Sequence, residues 1–445
     1  MSVIGVVGLG TMGLGIAQVF AAAGYKVLAT DTVDAARATA PARLRTALEP
    51  RVAKGALSQD ALEAAVNNLH IVPTPQDLSP ATLIIEAILE TLPAKQALFT
   101  SLEACIPPQT ILATNTSSLS VAAIAQGLKH PERVLGLHFF NPAPAMKLVE
   151  LVAHAGTAPA ALTLARTLTQ TAGKTVIPCP DRPGFIVNRC ARPFYGEALA
   201  LMGEGRTASD IDAAMQAAGY RLGPLSLIDL IGADINLAAT QGMSAAMGHH
   251  PRYHVFPALE AQVAKGHLGR KSGQGFLHPA QPGPAPADAA QIALRIEATL
   301  INEAHWLLSE GGTTATGIDT AMKLGLNFPR GPFEALRKSG RMLQRTWGET
   351  AAGAIGIGLA FGVLMFGVGL AGLGLAWTAA KLSMGLALAI VVLVALVLVL
   401  LGLVQAALNG VYAAALFRYI SHGETPPAFQ GLPMAQAPGT EPVPT

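Results

Sequence analysis

The first thirty residues leave few folds open. Val3–Val7 (VIGVV) reads as a short buried strand that runs straight into Gly8-Leu9-Gly10-Thr11-Met12-Gly13 and a helix predicted from Thr11 to Ala23. A second predicted strand, Tyr25–Thr30, ends in Asp31, 18 residues after Gly13. Each part of this unit has a physical task. Gly8 permits the tight turn, Gly10 lets the backbone approach a pyrophosphate, and Gly13 lets the helix pack close to the strand. The helix N-terminus, at Thr11 and Met12, turns its partial positive charge towards the phosphates. Asp31 stands where a carboxylate accepts from ribose hydroxyls and repels a 2′-phosphate, which favours NAD over NADP.

Further apolar runs at Leu83–Ile88, Thr110–Ala113 and Val134–Leu137 alternate with helical patterns, as a doubly wound parallel sheet requires. Ligands of such sheets sit at the carboxyl ends of the strands. Asn115-Thr116-Ser117-Ser118 follows one strand end and His138-Phe139-Phe140-Asn141-Pro142 follows another. Hydroxyl, amide and imidazole groups therefore meet at the cofactor edge.

Composition narrows the class. Only 13% of the 445 residues are charged, with 30 Lys+Arg against 28 Asp+Glu and a net charge of +2. Soluble chains are usually about a quarter charged. Disorder as the main theme and electrostatic nucleic-acid binding are both excluded. Cys105, Cys179 and Cys190 make neither a metal spacing nor an even disulfide set, so no metal is expected and a reducing compartment is. No signal-peptide pattern precedes the first strand.

The apolar surplus is concentrated late. From Thr350 to Gly423 the only charges are Lys381 and Arg418. Ala351–Leu375 and Leu386–Val404 are each long enough, at about 1.5 Å per residue, to cross a hydrocarbon core of roughly 30 Å. Arg330, Arg337, Lys338, Arg341 and Arg345 flank the first run and Arg418 follows the second, with a link predicted over Trp377–Ser383. This bias predicts a two-helix transmembrane hairpin with both ends in the cytoplasm. Gly358 and Gly362 form a small-residue pair suited to seating one helix on the other.

The stretches GLGTMGLGIAQVFAAAGYKV, IIEAILETLPAKQALF, ATNTSSLS, RVLGLHFFNPAPAMKLVELV, DRPGFIVNR and LGRKSGQGF occur in this order. Together they closely resemble the 3-hydroxyacyl-CoA dehydrogenase family, including its bacterial 3-hydroxybutyryl-CoA members. The resemblance implies NAD as cofactor, an acyl-CoA substrate and hydride transfer between C3 and nicotinamide. It implies His138 as general base, oriented by Glu150, with Ser117 and Asn188 holding the reacting oxygen. It further implies cofactor contacts from Glu90, Lys95, Asn141 and Lys271, beside those of Gly8, Gly10, Thr11, Met12, Gly13, Asp31 and Asn115. Lys54 matches a lysine that holds the CoA phosphates, and Arg51, one helical turn earlier, is placed to share them.

Beyond the sheet an all-α dehydrogenase C-terminal domain is predicted, opening on a helix from Gly184 to Met202. It is followed by a partial second copy. Ser209-Asp210-Ile211-Asp212-Ala213-Ala214-Met215 with Gly223-Pro224 recurs as Thr316-Gly317-Ile318-Asp319-Thr320-Ala321-Met322 with Gly331-Pro332. Upstream, Glu197-Ala198 recurs as Glu303-Ala304.

The predicted organisation is an α/β Rossmann-type domain (1–182), a helical substrate and dimerisation domain (183–278), a linker (279–288), the partial copy (289–336), a membrane segment (337–423) and a disordered tail (424–445). The segment after the partial copy resembles the end of an uncharacterised bacterial membrane protein. A cytoplasmic catalytic part anchored to the cytoplasmic membrane follows, and family habit implies a homodimer through the helical domain. Two other readings compete. A 3-hydroxyisobutyrate-type dehydrogenase also opens with GLGTMG, but its catalytic-lysine motif is missing and HFFNP with NTSSL argues against it. A vestigial, membrane-anchored scaffold is opposed by the filled catalytic positions.

Overall fold

The structure is a computed structural model. It describes the backbone of residues 2–422 and the side chains of 2–337 and 357–411, so the predicted tail at 424–445 lies outside the described residues. The chain divides into two units, Met1–Leu336 and Arg337–Thr445.

In the first unit eight strands form one sheet: β1 (Val3–Val7), β2 (Lys26–Thr30), β3 (Leu69–Ile71), β4 (Leu83–Glu86), β5 (Ile111–Thr114), β6 (Val134–Phe139), β7 (Leu148–Ala153) and β8 (Thr175–Pro180). Their order is β3-β2-β1-β4-β5-β6-β7-β8. Strands β1 to β6 pair in parallel, as the alternation of apolar runs and helices predicts. The sheet is not parallel throughout, because β7 runs antiparallel to β6 and β8 runs parallel to β7. The sheet carries α1 (Thr11–Ala22), α2 (Asp34–Ala53), α3 (Gln59–Asn67), α4 (Leu92–Cys105), α5 (Val121–Ala125) and α6 (Pro159–Thr171).

Side chains alternate across a strand, and here the alternation feeds two cores. Ile4, Val6, Leu83 and Ile85 pack on one face of the sheet. Val7, Ile84, Leu112 and Val134 belong to the other core, which runs on into the helical region through Phe185, Phe194 and Leu225. That region comprises α7 (Val187–Gly203), α8 (Ala208–Ala217), α9 (Pro224–Ile231), α10 (Ala233–Ala246) and α11 (Pro257–Ala264). The partial repeat supplies α12 (Ala289–Ser309) and α13 (Ala315–Leu326), with α12 packed along α7 and α8 and α13 against α7, β7 and β8. Gly325 makes the last approach possible: a Cβ there would lie 2.9 Å from the Val187 side chain and 3.1 Å from that of Leu148.

Two long helices follow, α14 (Pro332–Ala380) and α15 (Met384–His422). Ile357–Ala380 and Met384–Val411 are long and apolar enough to cross a membrane. Their break covers only Lys381–Ser383, shorter than the predicted link, because nothing in Trp377–Ala380 interrupts helical hydrogen bonding. The close helix contact is also not at the predicted pair. A Cβ at Gly358 would lie 3.9 Å from Gln405 Nε2 on α15 and one at Gly362 meets nothing within 4 Å, whereas one at Gly372 would lie 2.5 Å from the Val394 side chain.

Candidate active site

A cavity of about 820 Å³ opens where the carboxyl ends of β1, β4, β5 and β6 face α7, α9 and α10. Gly10, Thr11 and Met12 line it on the glycine-turn side. The turn is built as its sequence requires. Gly8 has φ +97°, and a Cβ there would lie 2.5 Å from the Ala87 carbonyl oxygen. A Cβ at Gly13 would collide with the Gly8 carbonyl at 1.8 Å. At Gly10 nothing lies within 4 Å of that position, which leaves room for a phosphate to approach the backbone. Asp31, at the end of β2, accepts from the Leu9 amide at 2.6 Å and the Val33 amide at 2.8 Å. Its carboxylate is thereby fixed beside the turn. The donor set and the open Gly10 position fit a dinucleotide.

The chemistry-bearing pair comes from adjacent antiparallel strands. His138 lies inside β6 rather than in a loop after it, directly across the ladder from Glu150 on β7. A cross-strand pair brings such side chains together without loop flexibility. His138 Nδ1 is 2.7 Å from Glu150 Oε2. The other carboxylate oxygen accepts from the amides of Ile186 at 3.1 Å and Val187 at 2.8 Å. Glu150 is fully buried, and these donors at the start of α7, with the helix dipole behind them, replace the water it has lost. A carboxylate only accepts, so Nδ1 carries the proton and Nε2 is left as an acceptor.

A second network ties the sheet edge to α7. Lys95 on α4, 1% exposed, donates to Glu86 Oε1 at 2.6 Å and lies 3.1 Å from Glu90 Oε2. Glu90 Oε1 accepts from the Thr116 hydroxyl at 2.6 Å and the Ser117 amide at 2.8 Å. Burial works against the charged form of Glu90, but the Thr116 hydroxyl, the Lys95 charge and the Ser117 amide together hold its carboxyl below the usual range. Asn188 Nδ2 closes the chain by donating to the Ser117 carbonyl at 3.3 Å. Asn115 Oδ1 accepts from the Phe139 amide at 2.8 Å, joining two strand ends.

Residues 3–182 match the family described as 3-hydroxyacyl-CoA dehydrogenase, NAD binding domain, and residues 184–278 and 292–349 match its C-terminal domain. The chain is 37% identical over 273 residues to a probable 3-hydroxybutyryl-CoA dehydrogenase of Bacillus subtilis, covering 61% of this chain and 95% of that one. The chain belongs to the 3-hydroxyacyl-CoA dehydrogenase family. It is also 45% identical over 276 residues to the 3-hydroxyadipyl-CoA dehydrogenase of Escherichia coli, but that match covers 61% of this chain and only 58% of the relative. A crystal structure of 3-hydroxybutyryl-CoA dehydrogenase from Escherichia coli superposes with a TM-score of 0.69 at 34% identity, covering 74% of this chain and 90% of that one. Residues 326–427 match a family of unknown function, DUF6159.

Of the residues that family resemblance singled out, Glu90, Lys95, Asn115, Ser117, His138, Asn141 and Asn188 line the cavity, and Glu150 stands behind His138. Lys271 does not reach it, because its ammonium is held by Asp234 at 2.7 Å at the start of α10. Arg51 lines an adjoining cavity of about 610 Å³ with Arg43, sharing Thr11 and Pro142 with the first, and Lys54 is exposed at the end of α2. Reading the sequence missed Glu86, Arg192 and Asn236. Glu86 had a signal, a charge closing the apolar run LIIE. The other two had none, each being one of several polar residues on its helix.

Proposed function

We propose that the protein interconverts (S)-3-hydroxyacyl-CoA and 3-oxoacyl-CoA, with His138 as general base. The observation that carries this reading is the buried His138–Glu150 pair beside a glycine turn shaped for a dinucleotide. NAD, when bound, supplies the hydride acceptor. Nε2 of His138 takes the proton of the 3-hydroxyl, and Glu150 stabilises the imidazolium that forms. Ser117 and Asn188 hold the reacting oxygen with a hydroxyl and an amide whose positions the Glu90 network sets. Arg51 and Lys54 offer positive charge to the CoA phosphates.

The test is oxidation of NADH by acetoacetyl-CoA. The wild-type protein turns over, and His138→Ala loses on the order of 10²–10⁴-fold in kcat. An equal rate in the two proteins would sink the assignment.

The second part of the proposal concerns the C-terminal segment. Leu373, Leu382 and Leu388 are 68%, 83% and 66% exposed, and such large apolar exposure suits lipid better than water. The hairpin is read as a tether that keeps the catalytic unit on the cytoplasmic face of the membrane. Activity should then sediment with membranes and resist a salt wash. Activity found only in the soluble fraction would remove the tether. Because α12 covers the α7 face within the chain, a homodimer of helical domains would have to use another face.

A further inference from the structure

The cavity holds a charge that the reaction above does not use. Arg192 lies one turn beyond Asn188 on α7, lines the same cavity and is only 7% exposed. Its hydrogen bonds go to neutral acceptors alone: the Asn188 carbonyl at 3.2 Å, the Asn236 carbonyl at 3.3 Å and the Thr240 hydroxyl at 3.1 Å. Its guanidinium also sits 5.0 Å from the centre of the Tyr195 ring. No carboxylate pairs with it among the described residues. Arg189, three residues earlier, shows the usual solution, with two glutamates around it. Burying a cation without an anion is costly, and proteins ordinarily avoid it. Burial pushes the Arg192 guanidinium below its ordinary pKa, with only the nearby tyrosine acting against that.

A second observation points to the same place. Asn236 is 1% exposed and lines the cavity, yet neither its Nδ2 nor its Oδ1 has a hydrogen-bond partner. Buried amides are nearly always paired. A cation lacking its anion and an amide lacking its partners thus lie close together, because the guanidinium donates to the backbone carbonyl of the same Asn236. Leu227, Leu230, Ile231 and Ala239 line the same cavity with apolar surface, which suits methylene groups.

We propose that Arg192 and Asn236 form a carboxylate subsite, and that the substrate is a 3-hydroxyacyl-CoA whose short acyl chain ends in a carboxylate. This rests on the dehydrogenase reading above. Asn188, placed there at the reacting oxygen, is one helical turn, about 5.4 Å of axis, from Arg192. A chain of a few carbons beyond C3 spans that distance. The carboxylate accepts from the guanidinium and from Asn236 Nδ2, giving each of these donors an acceptor.

The test uses the full-length protein, NADH and two six-carbon substrates on the same CoA. One is 3-oxoadipyl-CoA, which ends in a carboxylate, and the other is 3-oxohexanoyl-CoA, which ends in a methyl group. The wild-type protein favours the first in kcat/KM by about tenfold or more, the scale of one charge-assisted hydrogen bond. Arg192→Met lowers the ratio of the two by at least as much, Asn236→Leu lowers it less, and Arg192→Lys keeps part of the preference. A wild-type ratio near one overturns the subsite, and so does an Arg192→Met that slows both substrates equally, as it would if the guanidinium only packed α7 or held a CoA phosphate. Should Arg192→Met fail to fold, the wild-type ratio and Asn236→Leu still decide. Turnover of the methyl-ended substrate alone overturns the subsite and leaves the dehydrogenase reading standing, whereas turnover of neither overturns both.

Discussion

The two copies of the helical repeat meet each other across α7 and α12 in a reciprocal way. Arg189, Glu197 and Glu204 in the first copy have the same spacing as Arg295, Glu303 and Glu310 in the second. Arg189 donates to Glu303 at 2.7 Å and in fork fashion to Glu310, at 2.8 Å on each arm. Arg295 donates to Glu197 and, at 2.6 Å on each arm, to Glu204. Residues that exchange partners in this manner define an isologous interface, here made within one chain.

The two ends of that interface differ in burial. The Arg189 and Glu303 side chains are 1% and 0% exposed, whereas those of the equivalent pair, Arg295 and Glu197, are 43% and 20% exposed. Glu303 also accepts from the Tyr253 hydroxyl at 2.7 Å and from Arg252 at 3.0 Å, and Trp306 lies under both guanidiniums. One sequence pattern therefore makes a buried network beside Asn188 and a solvent-washed copy at the other end. Spacing sets who pairs with whom, but the surroundings set what the pair is worth.

The largest effect that sharpens this contrast comes from removing one acid at the buried end. Glu303→Ala strands Arg189 without its inner partner and costs about 3–5 kcal/mol, read as a lower thermal midpoint. Its mirror, Glu197→Ala, removes the acid bonded to the far more exposed Arg295 and costs about 1 kcal/mol or less. Equal losses would break the comparison, since burial would then not be the deciding variable.

Where both copies are equally packed, they should respond alike. Asp212 accepts from the amides of Leu225 and Ser226 at 2.9 and 2.7 Å, and Asp319 accepts from that of Phe333 at 2.8 Å. The glycine ahead of each capped helix makes this possible, because a Cβ at Gly223 or Gly331 would lie 2.4 or 2.2 Å from the aspartate. Gly223→Ala and Gly331→Ala should each cost about 1–3 kcal/mol by overpacking. A silent Gly331→Ala in a denaturation titration would show that the second copy is loosely held.

The smallest effect is a pH dependence. The Arg189 hydrogen bond holds the Glu310 carboxyl below its ordinary range, against some burial. A lowered carboxyl pKa contributes stability that is complete above the unfolded value, near 4.3, and is lost as pH falls through the folded one. The wild-type advantage over Glu310→Gln in thermal midpoint should thus be constant from pH 8 to about 6 and shrink on acidification below about 4. An advantage that grows in acid would contradict the pairing.

Much of the site was readable in the chain because its cues are local. The glycine turn depends on which residues tolerate φ +97° or a neighbour at 1.8 Å, and those limits belong to the residues themselves. His138 and Ser117 were visible because a parallel strand delivers its end to the cofactor edge. The strand β7 was not legible as a strand, and neither was its antiparallel direction, since LVELVA fits a buried helix as well as it fits a strand. The partner of Lys271 was not legible for a related reason: a basic residue on a short turn takes whichever acid the fold brings near, and here that is Asp234.

Short-range chemistry thus decided the nucleotide turn, the repeat and the two long apolar helices, because steric limits, spacing and hydropathy act over a few residues. Packing decided what no window of sequence contains. It set Glu150 across from His138, put the amides of α7 on its second oxygen, and left Arg192 and Asn236 together without an anion. Those outcomes depend on which distant surfaces share a buried space, and burial is what makes a charge or an amide there require a partner.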